Sequence, residues 1–314
     1  MRADCHCDTA LFLLETDSLR ELKQAHQDLR RLNRWLDLCF MGIFIDEKEN
    51  GEDTPAMFRK VLQLLKSDMA ANSDLVKPLL WREQLADKDS RSLLLISAEG
   101  AAGLGRNARF LDDYYNCGLR AVGLTWNYAN EYAGGCGSDE GLSESGRELI
   151  RRCEDMGILV DCAHLNRSSF WQVMEIAQKP LIVSHTCCDA LQHHRRNLTD
   201  RQMLAVAEHG GVIGIGFVPD FLGGAGNLCR LCEHIEYSVA LVGSEHVALG
   251  SDFDGCSPDP ELAGIEKLDD VFRQLALRGM KDHDLANIMG DSVAALLKHI
   301  LPCRPCADQT GKRG

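Results

Sequence analysis

The sequence lacks several features that would assign it to common classes of protein. Positive charge is not in excess, because 34 Lys and Arg stand against 47 Asp and Glu and give a formal net charge of −13. That balance argues against nucleic acid or an anionic membrane as the main partner. No apolar run approaches the ~18 residues needed to cross a bilayer. A basic stretch followed by an apolar segment is also absent near residue 1, so we expect a cytoplasmic protein without a secretion signal.

Cysteine is plentiful, with 14 residues in a chain of 314, but the pattern does not indicate a disulfide scaffold. Scaffolds of that kind are short and secreted, so we expect reduced thiols here. Two Cys-x-x-Cys pairs stand out, Cys229 with Cys232 and Cys303 with Cys306. Together they offer four thiolates to a structural zinc, although the gap between the pairs is long for such a site. Packing or incidental surface thiols are the preferred interpretation.

Short apolar runs recur along the chain and are separated by longer stretches of helical character. Most runs are continuous and not alternating, as in a parallel sheet that is covered on both faces. We predict eight strands, at residues 3–8, 38–45, 92–98, 119–125, 157–162, 180–185, 210–217 and 246–251. Apolar periodicity and capping signals predict helices at residues 56–69, 143–156, 199–209 and 282–300.

Eight strands that alternate with helices predict an α/β fold, a (β/α)8 barrel of the TIM type. In this interpretation residues 1–301 form a single domain and residues 302–314 form a flexible tail. The alternative is a doubly wound sheet. Such a sheet would more often carry a Gly-rich phosphate loop after its first strand, and this chain has none.

Polar residues that can bind metal follow most of the predicted strands, where barrels of this type build their sites. These residues are His6, Asp8, Glu99, Asp161, His164, Ser184, His185, Asp252 and Asp254. Each has an ordinary structural explanation by itself, such as turn formation at Asp254 and Gly255. At one end of a barrel, however, buried carboxylates are costly without a partner, so their co-location predicts bound cations.

Three histidines and two carboxylates are too many for one four-coordinate catalytic zinc, so two metal ions fit better. Nitrogen and carboxylate ligands without thiolate favour Zn, Mn or Fe over Ca or Mg. In such a pair a carboxylate bridges the ions, and a shared water becomes a hydroxide that attacks a carbonyl or phosphoryl centre. The pattern therefore predicts a metal-dependent hydrolase.

A second pair of the same form, His26-x-Asp28, precedes the second predicted strand. We expect this pair at the amino-terminal end of the barrel, away from the metal ligands. Its predicted role is to cap or precede the helix-like segment at residues 28–36.

The ordered motifs resemble the membrane dipeptidase (renal dipeptidase) family of binuclear zinc peptidases. The resemblance runs from residue 4 to about residue 300 and rests on the HxD, SAEG, DCAH, SHT, RRNLTD and GSDFDG motifs, which begin at residues 6, 97, 161, 184, 195 and 250. It implies two Zn²⁺ per chain, or other divalent transition metals in their place. The ligands that it implies are His6 and Asp8 on the first ion, His164 and His185 on the second, and Glu99 bridging both.

The resemblance also implies roles for residues that bind the substrate. Arg196 would grip the substrate's C-terminal carboxylate, for which a planar guanidinium is well suited. Asp252 would contact the substrate amine or the bridging water and transfer a proton, while Asp254 supports the loop. A homodimer is implied as well.

One segment departs from the family pattern. Its best-known members carry Leu-Thr-His-Asn or similar after the fourth strand, where the histidine helps to hold the scissile carbonyl, but this chain has Leu124-Thr125-Trp126-Asn127-Tyr128. Trp126 offers only an indole N–H. Either the indole N–H donates to the scissile carbonyl in place of the histidine, or Asn127, Tyr128 or Asn130 does so, or the zinc ions stabilise the carbonyl by themselves. If the indole N–H does not have this role, Trp126 is expected to form only a wall of the pocket.

We therefore expect a zinc-dependent dipeptidase in which a metal-bridging hydroxide attacks the peptide carbonyl. The resemblance suggests that D-residues are tolerated at the C-terminal position. One alternative is a binuclear hydrolase of another amide, either a cyclic amide or an N-acyl amino acid, because barrels of this type reuse one site for many reactions. The other is a barrel that binds a small ligand without catalysis.

Overall fold

A computed structural model describes residues 1–87 and 89–305 of the protein. Most of the predicted tail, residues 306–314, which begin with Cys306, lies outside the described residues. Within the described part of the chain, no helix is long and apolar enough to span a membrane.

Within residues 1–87 and 89–305, nine parallel strands form one sheet, and they include all eight predicted strands to within two residues at each end. The strands are β1 (Ala3–Cys7), β2 (Leu38–Phe44), β3 (Val76–Pro78), β4 (Ser92–Glu99), β5 (Leu119–Gly123), β6 (Leu159–Asp161), β7 (Ile182–Thr186), β8 (Val212–Ile215) and β9 (Val247–Leu249). The unpredicted strand β3 has only three residues and pairs with the first half of β4, outside the main order β1-β2-β4-β5-β6-β7-β8-β9.

Hydrogen bonds between β1 and the segment after β9 close the sheet into a barrel. The backbone N–H of Asp8 donates to the carbonyl of Phe253 at 2.9 Å, and the N–H of Asp252 donates to the carbonyl of His6 at 3.1 Å. The predicted (β/α)8 barrel is therefore confirmed. These closing bonds lie beside the predicted ligands, so barrel closure fixes the first and last strands of the candidate site relative to each other.

Helices separate most of the strands and cover the barrel. They are α1 (Leu29–Trp35), α2 (Glu47–Asn50), α3 (Thr54–Ala71), α4 (Leu111–Asn116), α5 (Glu144–Met156), α6 (Arg167–Ile176), α7 (Asp200–Glu208), α8 (Pro219–Leu222), α9 (Leu228–Val242), α10 (Leu268–Leu277), α11 (Asp282–Ala286) and α12 (Ser292–Ile300). The predicted helices at 56–69, 143–156 and 199–209 are confirmed as α3, α5 and α7. Ser143 and Thr199 cap two of them as the sequence indicates.

The predicted closing helix at residues 282–300 is present with the predicted bounds, but it is kinked and divided into α11 and α12. A π-helical turn at Asn287–Asp291 separates α11 from α12, and Gly290 has a φ of +154°. A Cβ at Gly290 would lie 2.9 Å from the Cβ of Ala3, so the chain passes too close to β1 for a side chain at this position. Apolar periodicity continues through the break, and for that reason the pattern does not reveal it.

Two apolar layers hold the barrel together because strand side chains alternate in direction. Side chains such as Phe40 and Leu95 belong to one cluster that also contains Val293 and Leu297 of α12. Their neighbours in sequence, such as Met41 and Ile96, belong to the larger cluster that includes helix side chains. The first of these clusters, which contains Phe40, Leu95 and the side chains of α12, occupies the interior and the amino-terminal end of the barrel. The carboxyl ends of the strands are therefore available for polar side chains.

Candidate active site

The five predicted metal ligands lie together at the carboxyl ends of the strands. His6, Glu99 and His185 belong to β1, β4 and β7, Asp8 follows β1 directly, and His164 lies three residues after the end of β6. Their ligand atoms and those of Asp252 form three overlapping groups, each within 4.8 Å, namely His6–Asp8–Glu99, Glu99–His164–His185 and His6–His185–Asp252. The structure thus brings together all five predicted ligands, which extend from residue 6 to residue 185 of the sequence.

The carboxylate of Glu99 stands between two halves of this cluster. Its Oε1 atom lies 2.8 Å from Nε2 of His164 and 3.8 Å from Nε2 of His185. Its other oxygen, Oε2, lies 3.3 Å from Nε2 of His6, which in turn is 3.5 Å from Oδ2 of Asp8. One oxygen faces each half, which is the arrangement that a bridging carboxylate requires.

Several buried polar atoms in the cluster lack partners within the described residues. Both ring nitrogens of His6 and Oδ1 of Asp8 are buried without a hydrogen bond. The Nε2 atoms of His164 and His185 approach each other to 2.8 Å. Buried polar groups normally find partners, and this donor set of imidazoles and carboxylates suits Zn²⁺ or a similar divalent transition metal. The residues therefore fit two such ions.

Electrostatics favour the protonation states that metal binding needs at His164, His185 and Glu99, whereas the pKa values of His6 and Asp8 are raised in the absence of a cation. Burial lowers the pKa of His164 to about 4 and, together with the charge on His6, holds that of His185 well below its usual value, so both imidazoles are neutral at pH 7. Burial opposes ionisation of Glu99, but His6 and His164 hold its pKa well below the usual range. Burial also raises the pKa of Asp8 well above its usual value and that of Asp252 to about 6. These carboxylates crowd each other, and a cation would relieve the repulsion.

Two hydrogen bonds orient the imidazoles of the second half. Nδ1 of His164 lies 2.9 Å from the side-chain oxygen of Asn127, and Nδ1 of His185 lies 2.9 Å from the hydroxyl of Ser184. Both contacts leave Nε2 directed at the cluster, as expected for partners that orient metal ligands. The sequence places Asn127 among the substrate-binding residues, but its oxygen is occupied by His164 and by the thiol of Cys136 at 3.0 Å.

Two buried carboxylates that are not among the five predicted ligands hold the segments of the site in place, and of these the sequence placed Asp161, but not Asp4, at a strand end of the site. Asp4 accepts hydrogen bonds from the backbone N–H and the hydroxyl of Ser251, at 2.8 and 2.6 Å, and so joins β1 to the segment after β9. Asp161 accepts from the N–H groups of Ala163 and Ser184, at 2.9 and 3.0 Å. The only sequence signal for Asp4 is a third acid near His6 and Asp8.

Left-handed backbone conformations mark the loops that carry the site. His164, Asp252 and Asp254 have φ values of 67°, 61° and 69°. Such conformations are unfavourable for residues other than glycine and tend to occur where the surrounding structure uses them for function. Here the left-handed conformations set the directions in which the side chains of His164 and Asp252 leave the loops.

A cavity of about 450 Å³ opens over the cluster. Its lining includes Asp8, Glu99, His164 and Asp252 together with Arg196. Its volume falls within the usual range for small-molecule sites, which is about 300–1,000 Å³.

Arg196 is the buried one of the two arginines in the cavity lining, with 7% of its surface exposed, whereas Arg195 is exposed. One Nη donates to the carbonyl of His185 at 3.3 Å, and its Nε has no partner within the described residues. The guanidinium carbon lies 5.2 Å from the centre of the Phe221 ring. No carboxylate of the described chain pairs with Arg196, so a buried cation in the cavity wall is free to bind an anion.

Trp126 forms an aromatic wall of the same cavity. Its ring centre lies 4.7 Å from that of Phe44 and 6.0 Å from that of His164. Tyr128 packs edge-on against Trp126 and lines a small adjoining pocket instead of the main cavity, with the amine of Lys48 3.1 Å above its ring. Asn130 donates to the carbonyl of Leu124. Among these residues, Trp126 therefore has the direct contact with the cavity that substrate binding requires, and Tyr128 does not.

The predicted location of His26 is wrong, whereas Asp28 has the predicted role of a helix cap. Asp28 caps α1 and accepts from the N–H of Arg31. His26 lies at the carboxyl end of the barrel, where its Nδ1 accepts from the N–H of Asp254 at 3.0 Å and its ring stacks on Phe253. Asp254, which also accepts from the hydroxyl of Thr9 at 2.5 Å, supports its loop.

The Cys-x-x-Cys pairs are only partly described. Cys229 is exposed at the start of α9, where Arg278 donates to its sulfur at 2.9 Å, and Cys232 is buried one turn later. Cys303 is exposed, and Cys306 lies outside the described residues. The four-thiolate zinc site is therefore left untested.

Comparison with known sequences identifies relatives over almost the whole chain. The family described as "Membrane dipeptidase (Peptidase family M19)" matches residues 1–302. A Klebsiella pneumoniae protein described as "Uncharacterized protein in pqqA 5'region" is 32% identical over 227 residues, which are 68% of this chain and 84% of that protein. Dipeptidase aclJ of Aspergillus oryzae is 32% identical over 212 residues, 65% of this chain and 50% of that protein. The chain thus spans about half the length of this fungal relative.

Two solved structures share the fold. A crystal structure described as dipeptidase AC, a metallopeptidase of family M19, has a TM-score of 0.90 and 23% identity, and covers 96% of this chain and 98% of that one. A metallopeptidase from Rhodobacter sphaeroides, liganded with a phosphinate mimic of L-Ala-D-Ala, has a TM-score of 0.87 and 23% identity, with coverage of 95% and 99%. Since the family match extends over residues 1–302, the chain belongs to the membrane dipeptidase family, peptidase family M19, which is a family of metallo-dipeptidases.

Proposed function

We propose that this protein hydrolyses dipeptides with two zinc ions, or similar divalent transition metals, held over the barrel. The observation that supports this most strongly is the position of Glu99 between two imidazole-containing halves of one cluster. The same cavity also contains a buried guanidinium without a carboxylate partner among the described residues. A metal pair and an anion-binding group in one small cavity are what a short, carboxylate-terminated substrate needs.

The ligand assignment follows the two halves of the cluster. His6 and Asp8 would hold one ion, His164 and His185 the other, and Glu99 both. Bound there, the ions would polarise the scissile carbonyl and lower the pKa of water to about 7. Asn127 and Ser184 would keep Nε2 of the two histidines of the second half available, because each engages Nδ1.

Arg196 would position the substrate by its C-terminal carboxylate. The guanidinium presents planar N–H groups that match a carboxylate bidentately, and burial in the cavity wall strengthens such a contact. Arg196 donates to the carbonyl of His185, so a carboxylate held by its guanidinium would bring the C-terminal peptide bond of the substrate towards the cluster. The cavity of about 450 Å³ would limit the length of the peptide on the amino-terminal side of that bond, which supports a short substrate such as a dipeptide. The relative with a bound mimic of L-Ala-D-Ala is consistent with D-residues at the C-terminal position.

Asp252 would move a proton during the reaction. Its Oδ1 lies 3.9 Å from Nε2 of His6, and its side chain lines the cavity. A carboxylate in this place can accept a proton from the attacking water and donate it to the leaving amine. Glu99 contributes differently, since both of its oxygens face imidazole nitrogens and hold the two halves together.

A panel of substrates tests the proposal. Metal-loaded protein should cleave dipeptides such as L-Ala-D-Ala and should lose this activity after dialysis against a chelator. The corresponding N-acetyl amino acids and cyclic dipeptides test the alternative amides. If they are cleaved and no dipeptide is, the dipeptidase proposal fails while the metal site stands. The homodimer and the cytoplasmic location stay predictions, which sedimentation analysis and cell fractionation can check.

A further inference from the structure

A second cavity, of about 410 Å³, lies at the opposite end of the barrel from the candidate active site. It is bounded by the last turns of α3, by β3, and by the residues that precede β4 and β5. It shares no lining residue with the cavity over the metal ligands. A ligand in this second cavity would therefore not contact the residues of the proposed metal site.

The walls of this second cavity are mostly apolar. Met69 of α3, Val76 of β3 and Ile96 of β4 form its floor, and all three are buried. Trp81 and Tyr115 complete the wall on either side of Arg120, with ring centres 5.6 and 3.9 Å from the guanidinium carbon. A surface of this kind favours a ligand with an apolar body.

The charged groups of the lining all have the same sign. The lining contains Lys66, Lys77, Arg91 and Arg120 and no Asp or Glu, although the whole chain has a net charge of −13. Lys77 pairs with Asp87 and Asp89 at 3.3 and 3.0 Å, and Arg91 pairs with Asp89 at 2.6 Å, so two carboxylates balance these two cations. Lys66 and Arg120 make no ion pair with the carboxylates of the described residues. The cavity therefore retains positive charge that its own surroundings do not balance.

Arg120 supplies the anchor of the cavity, because it is 2% exposed and yet lacks an anionic partner among the described residues. Its Nε donates to the carbonyl of Leu80 at 3.1 Å, and Nη1 donates to the carbonyls of Tyr115 and Leu119 at 2.9 and 2.8 Å. These bonds fix the plane of the guanidinium and leave the N–H groups of Nη2 without an assigned acceptor. A buried cation without a counter-charge is costly, and an anion in the cavity would offset that cost.

We propose that this second cavity binds a small amphipathic carboxylic acid, with the carboxylate on Arg120 and the apolar body against Met69, Val76 and Ile96. The nearby amine of Lys66 disfavours ligands that carry an ammonium group. Free amino acids, the products of the proposed reaction, are therefore poor ligands for it.

Cys117 allows a test that reports on this cavity alone. Its thiol lines the cavity and is partly exposed, whereas Cys229 is exposed elsewhere, at the start of α9. Sodium octanoate should slow alkylation of Cys117 by iodoacetamide at least about fivefold at saturation and leave the rate at Cys229 unchanged. Octylamine, with the same chain and the opposite charge, should give no protection. Peptide mass spectrometry of the metal-loaded protein measures both rates.

Two variants separate ligand binding from a purely structural role of Arg120. Ala70→Phe, on the exposed side of α3, should fill the cavity while Arg120 stays in place, and calorimetric titration should then show at least tenfold weaker octanoate binding with unchanged dipeptide hydrolysis. Lys66→Gln should weaken binding about threefold. Equal effects of octanoate and octylamine, or octanoate binding that Ala70→Phe leaves unchanged, would overturn the proposal and leave Arg120 as a structural partner of three carbonyls.

Discussion

The side-chain oxygen of Asn127 lies 2.9 Å from Nδ1 of His164. An amide oxygen only accepts hydrogen bonds, so Nδ1 carries the proton and the lone pair of Nε2 points to Glu99 and His185. Asn127 therefore acts on the candidate metal site through a histidine, although it also lines the cavity. A residue in this role affects metal affinity first and substrate binding only indirectly.

Replacement of Asn127 tests that role. Asn127→Leu removes the acceptor at similar volume, and we expect metal affinity to fall by about 10–100-fold, as is typical when a partner of a metal-binding histidine is lost. Activity should recover at high metal concentration. Titration of chelated protein with zinc measures both effects. Asn127→Asp, which keeps an acceptor at the same place, is the matched control, and equal zinc affinity in the leucine variant and the wild type would refute the assignment.

Arg196→Gln should impair hydrolysis of dipeptides much more than hydrolysis of their C-terminal amides. A charge-assisted bidentate contact is worth about 3 kcal/mol, so kcat/KM for L-Ala-D-Ala should fall by roughly 100-fold. The amide lacks the carboxylate and should lose little. Arg195→Gln, at the exposed neighbour that lines the same cavity, provides the control. A similar loss for both substrates would mean that Arg196 is structural.

Trp126→His should narrow the range of dipeptides without emptying the metal site. The indole and Phe44 form an apolar wall of the cavity, with ring centres 4.7 Å apart. Loss of part of that wall should lower kcat/KM for dipeptides with large apolar side chains by about tenfold and change that for Ala-Ala little. Trp126→Phe keeps an apolar ring and serves as the comparison. If Trp126→Phe, which removes the N–H donor and keeps an apolar ring, lowers kcat/KM equally for both classes of dipeptide, the indole N–H and not the apolar wall is what matters.

The buried carboxyl of Asp4 makes the stability of the metal-free protein depend on pH. Burial raises its pKa from 3.8 to about 6, against the hydrogen bonds from Ser251. The unfolded chain then loses this proton at lower pH than the folded one, so the stabilisation is complete below pH 3.8 and is lost as the pH rises to about 6. The shift of about 2 units corresponds to about 3 kcal/mol.

Asp4→Asn removes this titration and retains groups that can bond to Ser251. Relative to the wild type, the free energy of unfolding of the variant should therefore rise by about 3 kcal/mol between pH 3.5 and pH 7. Urea denaturation of chelated protein at a series of pH values measures the difference. Parallel stability curves for the two proteins would show that Asp4 titrates normally.

The strand ends could be predicted from sequence because apolar runs stop where polar residues begin, and parallel strands bring those ends together. His6, Glu99 and His185 were placed in this way. His26 was misplaced because it precedes β2 in sequence. In the fold, α1 lies between His26 and β2 and carries the chain back to the amino-terminal end of the barrel, where β2 starts. Residues before α1, such as His26, are therefore still at the carboxyl-terminal end of the barrel.

Side-chain contacts between residues far apart in sequence could not be predicted either. Asn127 is visible as a polar residue after β5, but its contact with His164 depends on how two loops meet. The carboxyl of Asp4 likewise finds Ser251 only when the barrel closes. No local pattern encodes such contacts, since they arise from packing between segments far apart in the chain.

Zinc titration of the chelated protein, with L-Ala-D-Ala hydrolysis followed at each step, tests the central claim most directly. If Glu99 joins two metal sites, activity should be absent without metal and should reach its maximum at two equivalents of zinc per chain. Glu99→Gln should bind zinc more weakly and lose most of this activity. Full activity in the metal-free protein, or two bound zinc ions without hydrolysis of any dipeptide, would contradict the account.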